Sequence, residues 1–153
     1  WWMGIFNIRP ILYYLEYPAA GYRSSFAAFL NPLVCWSGLV ALISLLWRQI
    51  RRRGDGISLF ILIGYAAQLV PWMPITRITF AYHYFPSLIF LVLALCYTMN
   101  EIYERAPHKK HLPVSLCAVS VFLFALFYPV LSGLTIPERY SQLFLRWLPS
   151  WPF

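Results

Sequence analysis

An uncharged run from Ile78 to Asn100 constrains the fold of this chain more than any other feature. Apart from His83 when protonated, none of its 23 residues carries a full charge. A helix of this length is long enough to cross the ~30 Å hydrocarbon core of a bilayer. The run therefore predicts a membrane-spanning helix, with polar residues gathered at the mouth between Arg77 and Pro86.

The overall composition supports a membrane class. Hydrophobic residues make up 61% of the chain and charged residues only 11%, whereas soluble domains carry about a quarter charged residues. The net charge of +7 lies in short basic clusters between apolar runs, which is typical of orientation signals and argues against nucleic-acid binding. Each of the three cysteines, Cys35, Cys96 and Cys117, lies inside an apolar run, so we interpret them as small hydrophobic residues.

Four uncharged runs predict an all-α membrane protein with four transmembrane helices, at about 32–47, 57–70, 80–100 and 114–134. Asn31 followed by Pro32 is a typical helix start, with asparagine as the cap and proline in the first turn. These runs predict a four-helix transmembrane region over residues 31–134.

The two flanking segments, 1–30 and 135–153, are rich in aromatic residues. Segment 1–30 is broken by Pro10, Pro18 and Gly21, and it is too interrupted for a spanning helix. We predict that it is an external interfacial segment anchored by aromatic side chains, with a dedicated recognition loop as the alternative. The tail is predicted to be a second external interfacial element.

The distribution of basic residues predicts the orientation. The short loops at 48–53 and 105–110 carry four and three Arg/Lys residues, placed directly beside helix ends. On the opposite side, the basic residues are spread over long tails and one loop. The positive-inside rule therefore places the short loops in the cytoplasm and the mouth near Arg77 on the external side.

The mouth of the third span holds the best candidates for chemistry. Its polar and aromatic residues are Arg77, Tyr82, His83 and Tyr84. Arginine suits a lipid phosphate because its planar group donates two parallel hydrogen bonds, and a neighbouring histidine can donate to the same phosphate or move a proton. The alternative is that Arg77 only reaches toward lipid headgroups and that His83 is an ordinary interfacial residue.

The sequence gives little support for a metal, cofactor or catalytic site elsewhere. His108 and His111 lie beside two lysines without a carboxylate or cysteine ligand, so we interpret them as a solvated loop and predict no metal. We find no nucleotide-binding glycine motif, no Ser/His/Asp set and no paired carboxylates, and we predict no cofactor. Glu16 and Glu138 are external in this topology, but each stands alone, so no catalytic residue is assigned.

Several segments resemble one known family. They are Asn31-Pro32-Leu33-Val34-Cys35-Trp36, the stretch from Arg77 through Phe85-Pro86-Ser87, Gly133-Leu134, and Trp147-Leu148-Pro149-Ser150-Trp151. Together they are similar to the C-terminal four-transmembrane region of protein O-mannosyltransferases, the dolichyl- or polyprenyl-phosphate-mannose–protein mannosyltransferases. The opening, W-W-M-G-I-F-N-I-R-P-I-L-Y-Y, resembles the bacterial form of the family.

The resemblance implies a membrane glycosyltransferase of the GT-C type. Such an enzyme moves mannose from a polyprenyl or dolichyl phosphate to Ser/Thr residues of exported proteins, without a metal. Its catalytic acid lies in the N-terminal half, so we expect this chain to be the C-terminal portion of a longer protein. The implied location is the cell membrane in bacteria or the endoplasmic reticulum membrane in eukaryotes. The alternative function is a non-catalytic membrane module, such as a partner-binding subunit or a transporter fragment.

Overall fold

A computed structural model describes residues 5–8, 10–51, 54–74 and 84–153. Seven main elements follow one another along these residues: β1 (Ile11–Ala19), β2 (Tyr22–Ala28), α1 (Pro32–Ile50), α2 (Gly56–Leu69), α3 (Phe85–Arg105), α4 (His111–Ser132) and β3 (Thr135–Pro137). Short 3-10 helices cover Val70–Trp72 and Pro107–Lys109, and a helical turn at Glu138–Tyr140 continues into a π-turn at Ser141–Leu145.

Local capping explains where the helices begin and end. The Asn31 side chain accepts a hydrogen bond from the backbone N–H of Leu33, 3.1 Å away, at the start of α1. Asp55 and Ser58 form a reciprocal capping box at the start of α2. After α4, Gly133 adopts a left-handed conformation with φ of 74°, which ends the helix.

The helical membrane class predicted from the sequence is confirmed, and a helix lies in each of the four predicted runs. By length and hydropathy, α1, α3 and α4 are long enough to cross a membrane. The second helix is shorter: α2 and the following 3-10 turn cover Gly56–Trp72. The described part of the third predicted span begins at Tyr84, because residues 75–83 lie outside the described ranges.

Helices α1, α2 and α3 share one hydrophobic core. Its buried members are Ala41, Leu42, Leu45, Ile61, Leu91, Ala94 and Leu95. Two glycines allow close approach: a Cβ at Gly38 would lie 2.6 Å from Cγ of Leu91, and a Cβ at Gly64 would lie 2.2 Å from Cε1 of Phe90. Small residues at contact points are the usual means by which membrane helices pack closely.

A three-stranded antiparallel sheet of order β1-β2-β3 is an addition to the predicted all-α architecture. Strands β1 and β2 form a hairpin that turns at Gly21, which has φ of 80°. Residue Arg23 of β2 pairs with Ile136 of β3, more than a hundred residues away along the chain. Most of the predicted interfacial segment 1–30 is therefore a regular hairpin, and the predicted tail supplies its third strand.

A second core joins this sheet to α4 and to the C-terminal tail. Its buried members are Ala27, Leu123, Phe127, Val130, Ile136, Leu145, Trp151 and Phe153. The ring of Phe127 lies 5.2 Å from that of Phe29 and 5.6 Å from that of Trp151, both in edge-to-face contact. The aromatic residues of the two flanking segments thus pack on each other and on α4.

The antiparallel helices give the bundle two ends. We call the end with the sheet, the C-terminal tail, and the start of α1 and α3 the sheet end. The opposite end, where residues 48–55 and 105–111 connect the helices, is called the basic end.

Candidate functional site

Tyr84 is the one predicted site residue within the described ranges. Arg77, Tyr82 and His83 lie outside them, so their predicted contact with a lipid phosphate stays a prediction. Tyr84 immediately precedes α3, and its backbone carbonyl accepts hydrogen bonds from the N–H groups of Ser87 and Leu88. Tyr84 therefore marks the start of α3 in the described part of the chain.

The Tyr84 side chain points into the protein, where it meets a residue that the sequence analysis did not single out. Its hydroxyl lies 3.0 Å from the hydroxyl of Tyr65 on α2, within hydrogen-bonding distance. Tyr84 is only 9% exposed. No sequence motif marks Tyr65, since a single tyrosine near the end of an apolar helix is common in membrane proteins.

The first turn of α3 also contains Ser87, whose side chain is fully buried. Within the described part of the chain, its hydroxyl has no hydrogen-bond partner. Buried hydroxyls are normally paired, so this group is an unused donor and acceptor next to the mouth. Its position three residues after Tyr84 adds a polar group to the sheet end of α3.

A short N-terminal segment, residues 5–8, lies across the start of α1. Cys35 donates from Sγ to the carbonyl of Ile5 at 3.2 Å, and the indole N–H of Trp36 donates to the carbonyl of Phe6 at 3.1 Å. Asn7 donates from Nδ2 to the carbonyl of Leu30 at 2.8 Å. Carbonyl groups that lie outside regular structure are thereby paired with side-chain donors.

The C-terminal tail is hydrogen-bonded to the same N-terminal segment and to the sheet. The indole N–H of Trp151 donates to the carbonyl of Asn7 at 3.1 Å, and the hydroxyl of Ser150 donates to the carbonyl of Ile8. Arg23 of β2 is buried and donates to the carbonyl of Pro152. Arg23 is therefore a link between the sheet and the tail.

The basic end is built differently, from ionised side chains. Arg48 of α1 forms an ion pair with Glu101 of α3, and Arg105 lies 3.2 Å from the other oxygen of that carboxylate. The phenol of Tyr97 donates to the Asp55 carboxylate at the start of α2. These contacts join α1, α2 and α3 at the ends that the sequence predicts to face the cytoplasm.

The environment of Asp55 favours its ionised form. The hydrogen bond from Tyr97 makes the largest contribution, followed by hydrogen bonds from the backbone and side chain of Ser58. Together they lower the pKa of the Asp55 carboxyl to about 2. Asp55 thus acts as a charged helix cap, not as a proton donor or acceptor near neutral pH.

The predicted loop around His108 and His111 shows no metal-binding arrangement. His108 lies in the 3-10 helix and His111 begins α4, and both are exposed. Within the described ranges, no three His, Cys, Asp or Glu side chains gather where they could hold a metal ion.

The three helices that are long and apolar enough to cross a membrane define a multi-pass integral membrane protein. Residues 1–151 match the family model described as the C-terminal four-transmembrane region of protein O-mannosyltransferase. The chain belongs to this family, and the family resemblance of its sequence motifs is confirmed.

Curated relatives carry matching names. Polyprenol-phosphate-mannose–protein mannosyltransferases of Mycolicibacterium smegmatis and Mycobacterium tuberculosis are 29% and 28% identical over 98% of this chain, which covers 31% of each relative. Protein O-mannosyl-transferase 2 of Drosophila pseudoobscura pseudoobscura is 30% identical over 69% of this chain and 15% of its own length. The chain thus spans about a third of the length of the bacterial relatives. No solved structure matches it.

Proposed function

We propose that this chain is the C-terminal membrane portion of an enzyme that transfers mannose from a polyprenyl phosphate to Ser/Thr hydroxyls of exported proteins. The observation that carries the proposal is the family match over residues 1–151, together with the names of relatives aligned over 98% of the chain. Those names state a polyprenol-phosphate-mannose donor and a protein acceptor. The Ser/Thr specificity comes from the family resemblance.

Within this enzyme, the sheet end is proposed to hold the phosphate of the lipid carrier. We call residues 73–83, between the 3-10 turn after α2 and Tyr84, the mouth segment. It carries Arg77, Tyr82 and His83. In the transfer step the Ser/Thr oxygen forms a bond to the mannosyl carbon and gives its proton to the catalytic carboxylate of the N-terminal half. The bond between that carbon and the phosphate oxygen breaks, and negative charge grows on the phosphate. An arginine fork in a water-poor site stabilises that charge, while Tyr82 and His83 can donate further hydrogen bonds.

The orientation follows from the same proposal. The basic end faces the cytoplasm, and the sheet end faces outward, where exported proteins pass. The membrane is the cell membrane in a bacterium and the endoplasmic reticulum membrane in a eukaryote.

Thiol labelling tests the orientation, using single cysteines at Lys109 and Arg139 in a background without the native cysteines. Both positions are exposed, one at each end of the bundle. A membrane-impermeant thiol reagent applied to intact cells should label position 139 and leave position 109 unlabelled. The opposite pattern would overturn the orientation.

A rate series tests the role of the mouth segment, with the variants placed in the complete enzyme that carries this region. A charge-assisted hydrogen bond is worth about 1.5–3 kcal/mol, so Arg77→Ala should lower kcat/KM roughly 10- to 150-fold. Arg77→Lys should restore only part of the loss, because an ammonium group cannot make the bidentate contact. His83→Gln keeps a donor and removes the titration, so it separates hydrogen bonding from proton transfer. Wild-type rates for both arginine variants would refute the phosphate role.

A further inference from the structure

We propose that Arg23 and Ser25 of β2 form a binding site for a phosphate group where the sheet meets the C-terminal tail. The ligand is a phosphate oxyanion, either free or carried by the headgroup of a membrane lipid. The site does not depend on the proposed transfer activity, because none of its residues belongs to the mouth segment.

The first support is the buried charge of Arg23. This residue is only 8% exposed, and its guanidinium carries five N–H donors. One terminal nitrogen donates to the carbonyl of Pro152, and the ring centroid of Tyr17 lies 5.9 Å from Cζ. The Nε–H group is buried and finds no hydrogen-bond partner among the described residues, and no described carboxylate forms an ion pair with Arg23. Because a buried cation without an anion is strongly unfavourable, Arg23 has both a free donor and an uncompensated charge.

The second support is Ser25, which has an unpaired hydroxyl on the same face of β2. Ser25 is almost completely buried, and its Oγ finds no partner in the described part of the chain. Both register shifts between β1 and β2 place the extra residue on β1, so β2 itself alternates regularly. Residues two apart on a strand point the same way, with Cα atoms roughly 6.5 Å apart. One phosphate can therefore accept from Nε of Arg23 through one oxygen and from Ser25 through another.

The third support is the apolar layer that this face of β2 contacts. Ile136 lies opposite Arg23 on β3, and Ala27 follows Ser25 on the same face of β2. Both belong to the buried core that contains Trp151 of the tail. Apolar neighbours exclude water and lower the local dielectric constant, which strengthens the attraction between Arg23 and a bound anion.

The fourth support is the position of Tyr17, which favours a phosphate as the anion. Tyr17 is 60% exposed, and its ring lies beside the guanidinium of Arg23. Exposed tyrosines are typical of the boundary between membrane and water, where the phosphates of lipid headgroups lie. Arginine suits phosphate because its planar group can donate parallel hydrogen bonds to two oxygens. A phosphate at this level can therefore reach Arg23 past the Tyr17 ring.

Amide hydrogen exchange tests the site in the complete enzyme that carries this region, in detergent and in a phosphate-free buffer. Inorganic phosphate is titrated at constant ionic strength, and short-chain phosphatidylglycerol is titrated separately. The variants are Arg23→Met, which removes the charge and the donors, and Ser25→Ala, which removes one hydroxyl. Arg139→Met is the matched control, because Arg139 is an exposed arginine at the same end of the bundle. The readout is exchange over residues 22–28 and 147–153, the strand and the tail on either side of the site.

In the wild-type enzyme, phosphate at ten times its Kd should slow exchange about 10-fold in both segments, because the ligand binds only the closed form. Ser25→Ala should weaken the Kd roughly 10- to 150-fold, the effect of one lost hydrogen bond to a charged group. Arg23→Met should abolish the response, and Arg139→Met should respond as the wild type does. A response to phosphatidylglycerol identifies a lipid headgroup as the ligand, whereas a response to inorganic phosphate alone identifies the free anion.

Two results would overturn the site. The first is that neither ligand slows exchange in the wild-type enzyme, and the second is that Ser25→Ala responds with the wild-type Kd. Ser25→Ala removes a single oxygen atom, so it decides the question even if Arg23→Met does not fold.

The same variant also tests whether the hydroxyl is free before phosphate binds. Without phosphate, Ser25→Ala should exchange no faster than the wild type, because the lost hydroxyl has no partner among the described residues. Faster exchange in the absence of phosphate would show that the hydroxyl is paired within the protein, which would also refute the site.

Discussion

The two ends of the helix bundle hold their polar groups in different ways. At the basic end, Arg48 and Arg105 both pair with the Glu101 carboxylate, and the Asp55 carboxylate caps α2. At the sheet end, uncharged donors such as Asn7 and Trp151 pair with backbone carbonyls. Both ion pairs between described residues lie at the basic end.

This difference indicates where an anionic ligand fits. An arginine that already pairs with a carboxylate, such as Arg48, has fewer free N–H donors for a phosphate. At the sheet end, the described contacts of Arg23 are a backbone carbonyl and the ring of Tyr17, and none of them is a carboxylate. Ser87 likewise has a buried hydroxyl that finds no hydrogen-bond partner among the described residues. The basic end thus uses ion pairs and a helix cap to connect α1, α2 and α3, whereas no carboxylate pairs with Arg23 at the sheet end among the described contacts.

The largest expected effect is on the core of the sheet end. Trp151→Ala removes a buried ring that packs on Phe29 and Phe127 and donates to Asn7. The loss should be about 3–5 kcal/mol, typical of truncating a buried aromatic side chain. Thermal unfolding in detergent measures it, with the exposed Leu143→Ala as the control. An equal midpoint for the two variants would show that the tail does not pack as described.

The next effect is on the ion pair at the basic end. Glu101→Gln leaves Arg48 without its charged partner in a partly buried position. A fully buried pair loses 3–5 kcal/mol when one partner is removed, so this partly exposed pair should lose roughly 2 kcal/mol. Because the damage is confined to the basic end, the Kd for polyprenyl phosphate should stay at the wild-type value. A large loss of binding together with the loss of stability would contradict the separation of the two ends.

A smaller effect is expected at the contact between α1 and α3. Gly38→Ala places a methyl group against the buried side chain of Leu91, at 2.6 Å before any shift. Overpacking of this kind should cost about 1–2 kcal/mol after relaxation. Gly56→Ala is the control, because a Cβ there meets no other atom within 4 Å. The unfolding midpoints of the two variants should differ, and equal midpoints would argue against close packing at Gly38.

The smallest effect is the pH dependence due to Asp55. Its folded-state pKa of about 2 lies below the ordinary value of 3.8, so ionised Asp55 stabilises the folded state at pH values above about 4. That contribution is lost as the pH falls from about 4 through 2. Asp55→Asn should abolish this part of the pH dependence when unfolding midpoints are compared between pH 5 and pH 2. If the unfolding midpoint of Asp55→Asn changes with pH as much as that of the wild type, another group causes the pH dependence.

Helix positions were accessible from the sequence because their signals are local. The Asn31-Pro32 start and the length of each uncharged run depend on neighbouring residues, and α1 begins at the predicted Pro32. Helices α1 and α4 nonetheless extend at the basic end beyond the predicted 32–47 and 114–134, to Ile50 and from His111. The helical geometry continues through the polar residues Arg48, Gln49 and His111, which flank the apolar runs.

The sheet was not accessible in this way. Strand β1 contains Pro18 and has two register shifts against β2. These irregularities interrupt the alternation of the two strand faces along the sequence. Strand β3 is only three residues long and pairs across more than a hundred residues of intervening chain. Nonlocal pairing leaves no signal in a single sequence, and for the same reason the contact of Tyr65 with Tyr84 could not be predicted.

The central claim is that the mouth at the sheet end, and not the basic end, binds the lipid phosphate. The most direct measurement compares the Kd of polyprenyl phosphate for the wild-type protein, Arg77→Ala and Arg51→Ala in detergent. Arg51 is the matched control, since it lies exposed at the basic end with its guanidinium 4.6 Å from the ring centroid of Trp47. We predict a roughly 10- to 150-fold weaker Kd for Arg77→Ala and no change for Arg51→Ala. Equal losses in both variants, or a loss in Arg51→Ala alone, would contradict the account.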